Sequence, residues 1–221
     1  MKKTITTAFI LMIFITGSAQ DVNWKSINQS RMNLGHFRFG YNYGTVAQFG
    51  YGRLMNLYKP LLFTADFSMP MGENLFDDFK LRYGGQVNIY EKNNFVVAGK
   101  ILGNFRRIET SMVRIAGFGA ELSAIAGYYK STWHIAGELG FDKAISSHAK
   151  HSDEMRNNAY TEINDGWYVP TGGNWHYGIQ GSKSIGQTYD FTLRLGATTA
   201  QGNDEDALLP FYLSIGVNKR F

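Results

Sequence analysis

Residues 209–221 read LPFYLSIGVNKRF. Leu209, Phe211, Leu213, Ile215 and Val217 fall on one parity and Tyr212, Ser214, Gly216, Asn218 and Arg220 on the other, which is the side-chain period of a β-strand. The same alternation recurs upstream. Phe37, Phe39, Tyr41 and Tyr43 oppose His36, Arg38, Gly40 and Asn42; Leu61, Phe63, Ala65, Phe67 and Met69 oppose Leu62, Thr64, Asp66 and Ser68; Phe79, Leu81, Tyr83, Val87 and Ile89 oppose Lys80, Arg82, Gln86 and Asn88. The pattern predicts about ten strands, with eight as the smaller count: 34–43, 46–54, 61–69, 79–90, 95–106, 113–129, 133–145, 174–185, 188–199 and 209–221. Gly44-Thr45 reads as a tight reversal, against one long bent strand. Asn93-Asn94 reads as a short turn, and the change of parity near Gly117 and Gly119 as a β-bulge. Residues 20–32 are polar and expected to be flexible. Over 146–173 the period stops, which predicts the longest irregular loop of the chain.

The beginning of the chain changes the picture of where these strands fold. Met1-Lys2-Lys3, the apolar run AFILMIFITG at 8–17 and the small residues Gly17-Ser18-Ala19 have the layout of a cleaved signal peptide, residues 1–19. The run is shorter than the roughly 20 apolar residues a membrane helix needs. Without Lys2 and Lys3 the formal charge of +4 drops to about +2, so no nucleic-acid partner is expected. There is no cysteine, hence no disulfide framework or thiolate chemistry. Hydrophobic residues are 44%, aromatics 15%, Gly 25 and Pro 4, while mean hydropathy is only −0.24. Strands that hide hydrophobicity by alternation have this composition.

A terminal apolar strand that ends on Phe221 resembles the last strand of bacterial outer-membrane β-barrels. The resemblance implies an all-β, antiparallel transmembrane up-and-down barrel, one domain over 20–221, surrounded by outer-membrane lipids. It also implies that Phe221 is the assembly signal read by the barrel-assembly machinery. Short links at 185–188, 130–132, 92–94 and 56–60 then lie on the periplasmic side and the longer ones, 146–173 above all, outside. A soluble lipocalin-like barrel shows the same alternation with its faces exchanged; the signal peptide, the terminal Phe and the breadth of the apolar face favour the membrane.

In the membrane reading the polar parity lines a lumen. Asp66, Glu138, Asp142 and Asp190 are expected to pair there with Arg38, Lys80, Arg82, Lys100 and Arg194, filling a barrel too narrow for a wide channel. Tyr41, Tyr43, Tyr51, Tyr83, Tyr128, Trp133, Trp175, Tyr177 and Tyr189 suit interfacial girdles. His148 and His151, three apart near Asp153, have a spacing that binds zinc or copper when a loop folds suitably, but a third ligand is missing and no cofactor is expected. Asp77-Asp78 facing His151 and Asp153 across a barrel mouth is similar to the omptin outer-membrane proteases in strand number and in the loops involved, which implies water activation for hydrolysis. Here the two acids are adjacent, His151 precedes Asp153 and the chain is shorter, so membership does not follow. Trp167 and Tyr168 are expected to be buried by a loop folded back over the barrel. The function expected from all this is a non-enzymatic envelope structural or surface-interaction role, through external loops and toward an unidentified ligand. A narrow channel through the charged lumen is the first alternative and a hydrolase at the mouth the second.

Overall fold

A computed structural model describes residues 22–27, 30–72, 76–158, 164–202 and 209–221. Among these the strands are β1 (Asn33–Tyr41), β2 (Thr45–Asn56), β3 (Pro60–Pro70), β4 (Asp78–Lys92), β5 (Phe95–Glu109), β6 (Val113–Lys130), β7 (Trp133–His151), β8 (Gly166–Tyr168), β9 (Gly173–Ile185), β10 (Tyr189–Ala200) and β11 (Phe211–Arg220), with one helical turn and a half, α1 (Asp153–Asn158), between β7 and β8. β1 to β7 pair antiparallel in order, β7 pairs with β9, and β9, β10, β11 and β1 complete a ring of ten strands; β8 is an addition to β7. The seam runs from Leu34 opposite Arg220 to Tyr41 opposite Leu213. Reciprocal backbone bonds of 3.0 Å between Asn33 and Phe221 finish it. A closed ring leaves no unpaired edge.

The links agree with the local chemistry. Asn93 and Asn94 take φ of 49° and 69°, the left-handed pair of a type I′ turn whose twist matches the flanking strands. Tyr41 pairs with Thr45 across residues 42–44, so the chain reverses at Gly44 instead of running on. The expected bulge at Gly117 and Gly119 is corrected: Phe118 is opposite Ser146 and Gly119 opposite Ala144, so the extra residue is Ile145 of β7, while β6 keeps an unbroken register with β5. A Cβ at Gly119 would lie 2.6 Å from the Lys143 carbonyl oxygen and 2.7 Å from Asn104 Oδ1, so a glycine there lets β6 close on the bulged β7. A second step, between Asn88 and Tyr90, interrupts an alternation that reads as nearly continuous.

Two expectations are corrected. The stretch after Ser146 is not irregular throughout: β7 continues to His151, and α1 and β8 follow. There β7 continues past its last pair with β9, Lys143 opposite Gly173, still paired with β6, which in turn stays paired with β5; on its other side Ser147–Ala149 are joined by β8. Beyond the hydrocarbon both faces of a strand meet water, so no apolar alternation marks this extension. Residues 22–27 are not a loose leader either. Val22, Asn23 and Trp24 are buried in the apolar cluster of Leu34, Leu54, Val96 and Tyr129. Asn23 Nδ2 donates to the Lys130 carbonyl at 2.9 Å, which places the segment inside the ring at the end that carries the short turns.

Apart from this apolar cap, the faces are those of a membrane barrel. Phe37, Ile101, Leu122 and Ile215 are 54, 64, 60 and 57% exposed on the outside, while Arg38, Lys100 and Glu138 are 2, 2 and 5% exposed within. A water-soluble barrel has the opposite arrangement.

Candidate functional site: a charged lumen below a polar vestibule

The lumen is built by the inward parity of all ten strands of the ring. At mid-height Lys100 Nζ is 2.7 Å from Glu121 Oε1, and Arg82 lies between Glu121, at 3.8 Å, and Asp66, at 3.9 Å. His36 Nε2 stands 3.7 Å from the other oxygen of Asp66. Across the barrel Arg194 Nε donates to Glu138 Oε1 at 2.6 Å, and the Tyr212 hydroxyl donates to the same oxygen. The Arg194 guanidinium lies 4.6 Å from the Tyr212 ring centre. Ser123 donates to Glu121 at 3.1 Å and stands 3.3 Å from His176 Nε2. A Cβ at Gly140 would lie 2.3 Å from that nitrogen, so the glycine makes room for the imidazole. Nearer the turn end Arg220 Nη2 donates to Asp190 Oδ1 at 3.0 Å and Nη1 to the Ser26 carbonyl, tying the inserted segment to the wall.

Above the middle the lumen widens into a vestibule of about 140 Å³ at the loop end, lined by Tyr43, Lys80, Arg82, Glu121, His176 and Arg194 among others. Lys80 Nζ reaches Asp142 Oδ2 at 3.0 Å across its rim. Arg106 grips Asp78 with two bonds, 2.9 and 2.7 Å, and stacks 4.3 Å from the Tyr43 ring centre. Charges of both signs, most of them paired, make the passage polar.

The residues singled out from the sequence are distributed as follows. Asp66 with Arg82, Glu138 with Arg194 and Asp142 with Lys80 are ion pairs. Lys100 binds Glu121 and Asp190 binds Arg220; neither partner was singled out, nor were His36, His176 and Tyr212. Arg38 is buried in the same layer. Glu121 lies on the continuous inward parity of β6, which the expected break at Gly117 and Gly119 obscured, and Arg220 directly precedes the aromatic end of its strand. Tyr43 belongs to the vestibule and not to a girdle, since its hydroxyl meets Ser68 at 3.0 Å.

The histidines are not a metal pair. Both lie on β7, where His148 is opposite Ala116 and His151 opposite Val113, and an odd spacing on a strand sends them to opposite faces. His148 contacts the Trp167 ring at 5.1 Å. His151 is held by Asp165, which accepts from its backbone N–H at 2.7 Å and lies 3.1 Å from Nδ1. Among the described residues no group of three or more His, Cys, Asp or Glu could hold a metal. Asp77 gives its carbonyl to the Glu109 N–H, Asp78 is held by Arg106, and Asp153 is an exposed first-turn residue of α1. Asp78 and His151 are therefore engaged by different partners, Arg106 and Asp165.

The backbone N–H of His151, then its side chain and Arg156, hold the Asp165 carboxyl below its usual range. Trp167, opposite His148 on β8, stacks on Phe118 with ring centres 6.2 Å apart. It stays 64% exposed, with Tyr168 at 48%, so the expected burial of these rings does not occur: they stand on a flap beside the barrel, not on a loop folded over it.

A closed ring, an apolar outer face at mid-height and paired charges buried in the interior satisfy what a bilayer demands of a spanning sheet. The chain is a small outer-membrane-type β-barrel. No protein-family model matches the sequence, and no curated protein is significantly similar to it. Among solved structures it is similar to a KdgM porin in complex with disordered oligogalacturonate, at 9% identity and a TM-score of 0.42, with 86% of this chain and 99% of that chain covered. A second structure, a KdgM porin, gives 9% identity and a TM-score of 0.41 over the same shares.

Proposed function

We propose that this barrel stands in the outer membrane, after removal of residues 1–19, as a narrow channel whose charged lumen is the passage and whose turn end is closed by residues 22–27. The observation that carries the reading is the interior itself. From the vestibule downward it is lined with ion pairs, although the cap at the turn end shows that this ring accommodates apolar packing. Buried ion pairs are commonly no better for stability than apolar side chains of similar volume, so a polar interior serves a polar path better than it serves a structural plug. The closing segment is small: Val22 and Trp24 fill the lumen, and Asn23, Lys25 and Ser26 fasten it to Lys130, Glu91 and Arg220.

Planar-bilayer conductance of the refolded barrel tests this, with a variant lacking residues 22–27 and with Arg82→Ala and Asp66→Ala placed in each background. Expected are rare or no openings in the parent, discrete openings in the shortened chain, and altered conductance or ion selectivity when Arg82 or Asp66 is replaced. A shortened barrel that is folded and silent sinks the channel reading.

The surface-interaction role becomes the second reading, favoured by one observation: Trp167, Tyr168 and Val169 are 64, 48 and 80% exposed on the flap. Loss of binding to intact cells or matrix in a Trp167→Ala, Tyr168→Ala variant with unchanged conductance would favour it.

A further inference from the structure

We propose that the outer face of the turn end is a belt that binds the headgroups of anionic phospholipids. Arg53, Lys92, Lys130, Lys183 and Lys219 are all exposed, and they sit near the turn-end termini of β2, β4, β6, β9 and β11. In the order of the ring these are every second strand, so the five cations encircle the turn end of the barrel.

The registers interleave them with aromatic rings on the same outer face. Lys92 is opposite Phe95 and Lys130 opposite Trp133. Lys183 lies between Trp133 and Phe191, Lys219 is opposite Tyr189, and Arg53 is opposite Phe63. The Lys130 ammonium is 5.8 and 5.7 Å from the ring centres of Tyr128 and Trp133. Aromatic rings of this kind settle at the hydrocarbon–headgroup boundary, and long basic side chains beside them extend toward the phosphates.

Among the described residues no salt bridge compensates the charge on this face. Among the described residues, the acids near this end turn inward: Glu91 binds Lys25 and Asn88, and Asp190 binds Arg220 in the lumen. The loop end differs, because Arg107 and Arg114 there share Glu109. Five like charges on a closed circle call for counter-charge from every side. A protein partner would meet one sector of the ring, whereas a lipid annulus meets all of it, and phosphodiester headgroups lie at the level of the rings.

The test uses the full mature chain with Trp24, Trp167 and Trp175 replaced by Phe, so that Trp133 is the reporter within the belt. It is reconstituted into vesicles in which either phosphatidylglycerol or phosphatidylcholine carries bromine on its acyl chains, and quenching is measured across lipid ratios. Expected is a preference for phosphatidylglycerol at Trp133 of about fivefold, which falls toward unity at roughly 1 M salt, where the screening length is about 3 Å. A variant with Arg53, Lys92, Lys130, Lys183 and Lys219 all changed to Gln should lose the preference while keeping heat-modifiable gel mobility. The salt series on the parent decides the matter if that variant fails to fold. Equal quenching by the two lipids in the parent, or a preference that survives salt and the five substitutions, overturns the belt.

Discussion

Lys100 and Glu121 show what a single lumen residue is worth. Both are almost fully buried and 2.7 Å apart. Lys100→Met would leave Glu121 facing Arg82 at 3.8 Å and His176 at 3.7 Å, a partial compensation. Breaking a buried pair costs about 3–5 kcal/mol, and the remaining partners place this one near the lower figure, about 3 kcal/mol. Denaturant unfolding of the barrel in micelles measures it. By contrast Arg114→Gln, at a pair whose arginine side chain is 52% exposed, should cost under about 1 kcal/mol. Most acids and bases of the lumen, Glu121 and Arg220 excepted, were legible from parity, because a strand sends every second side chain inward. Their pairing was not, because partners such as Asp190 and Arg220 are 30 residues apart and meet only through the register of β10 and β11.

The flap of β7 and β8 is the element whose behaviour depends most on one side chain. Asp165 holds β7 at His151 and α1 at Arg156, and its carboxyl is held below the usual range by those contacts. A depressed carboxyl contributes fully above its unfolded value of about 4 and loses the contribution as pH falls through the lowered folded value. Protection factors over 147–151 and 166–168, exchange rates taken relative to the intrinsic rate at each pH, should therefore be high near neutrality and fall below about pH 4. Asp165→Asn should show low protection at neutral pH and lose that acid dependence; equal protection in the variant would deny Asp165 its role. This element was poorly legible. Strand pairing outside the hydrocarbon needs no apolar face, and the sequence ISSHAKH shows none.

At the scale of the molecule, closure is what makes ten amphipathic strands one object. Its last step is the pair of backbone bonds between Asn33 and Phe221, with the Phe221 ring 6.4 Å from that of Tyr51. Removal of Phe221 gives up both bonds at the seam, at about 1–3 kcal/mol, and should reduce the fraction of heat-modifiable folded barrel on gels even when folding is spontaneous in detergent. If folding in detergent is untouched but insertion in cells fails, Phe221 acts as an assembly signal and not through the seam. The apolar cap is a second whole-molecule feature. Trp24→Ala should loosen residues 22–27, raising conductance in bilayers and leaving the ring intact by circular dichroism.

The sequence alone determined the class of architecture: its period of two over successive stretches of about ten residues, with charges on one parity and large apolar groups on the other, admits a closed amphipathic sheet and little else. It also marked the turn at Asn93-Asn94, which acts through local backbone conformation, but not the bulge, whose extra residue is Ile145 of β7. Tertiary structure decided the rest. Whether Val22 and Trp24 hang free or seal the turn end, which carboxylate meets which cation, and that His148 and His151 part company across β7 all depend on ring closure and register. Those are relations between residues far apart in the chain, set only once the last strand has paired with the first.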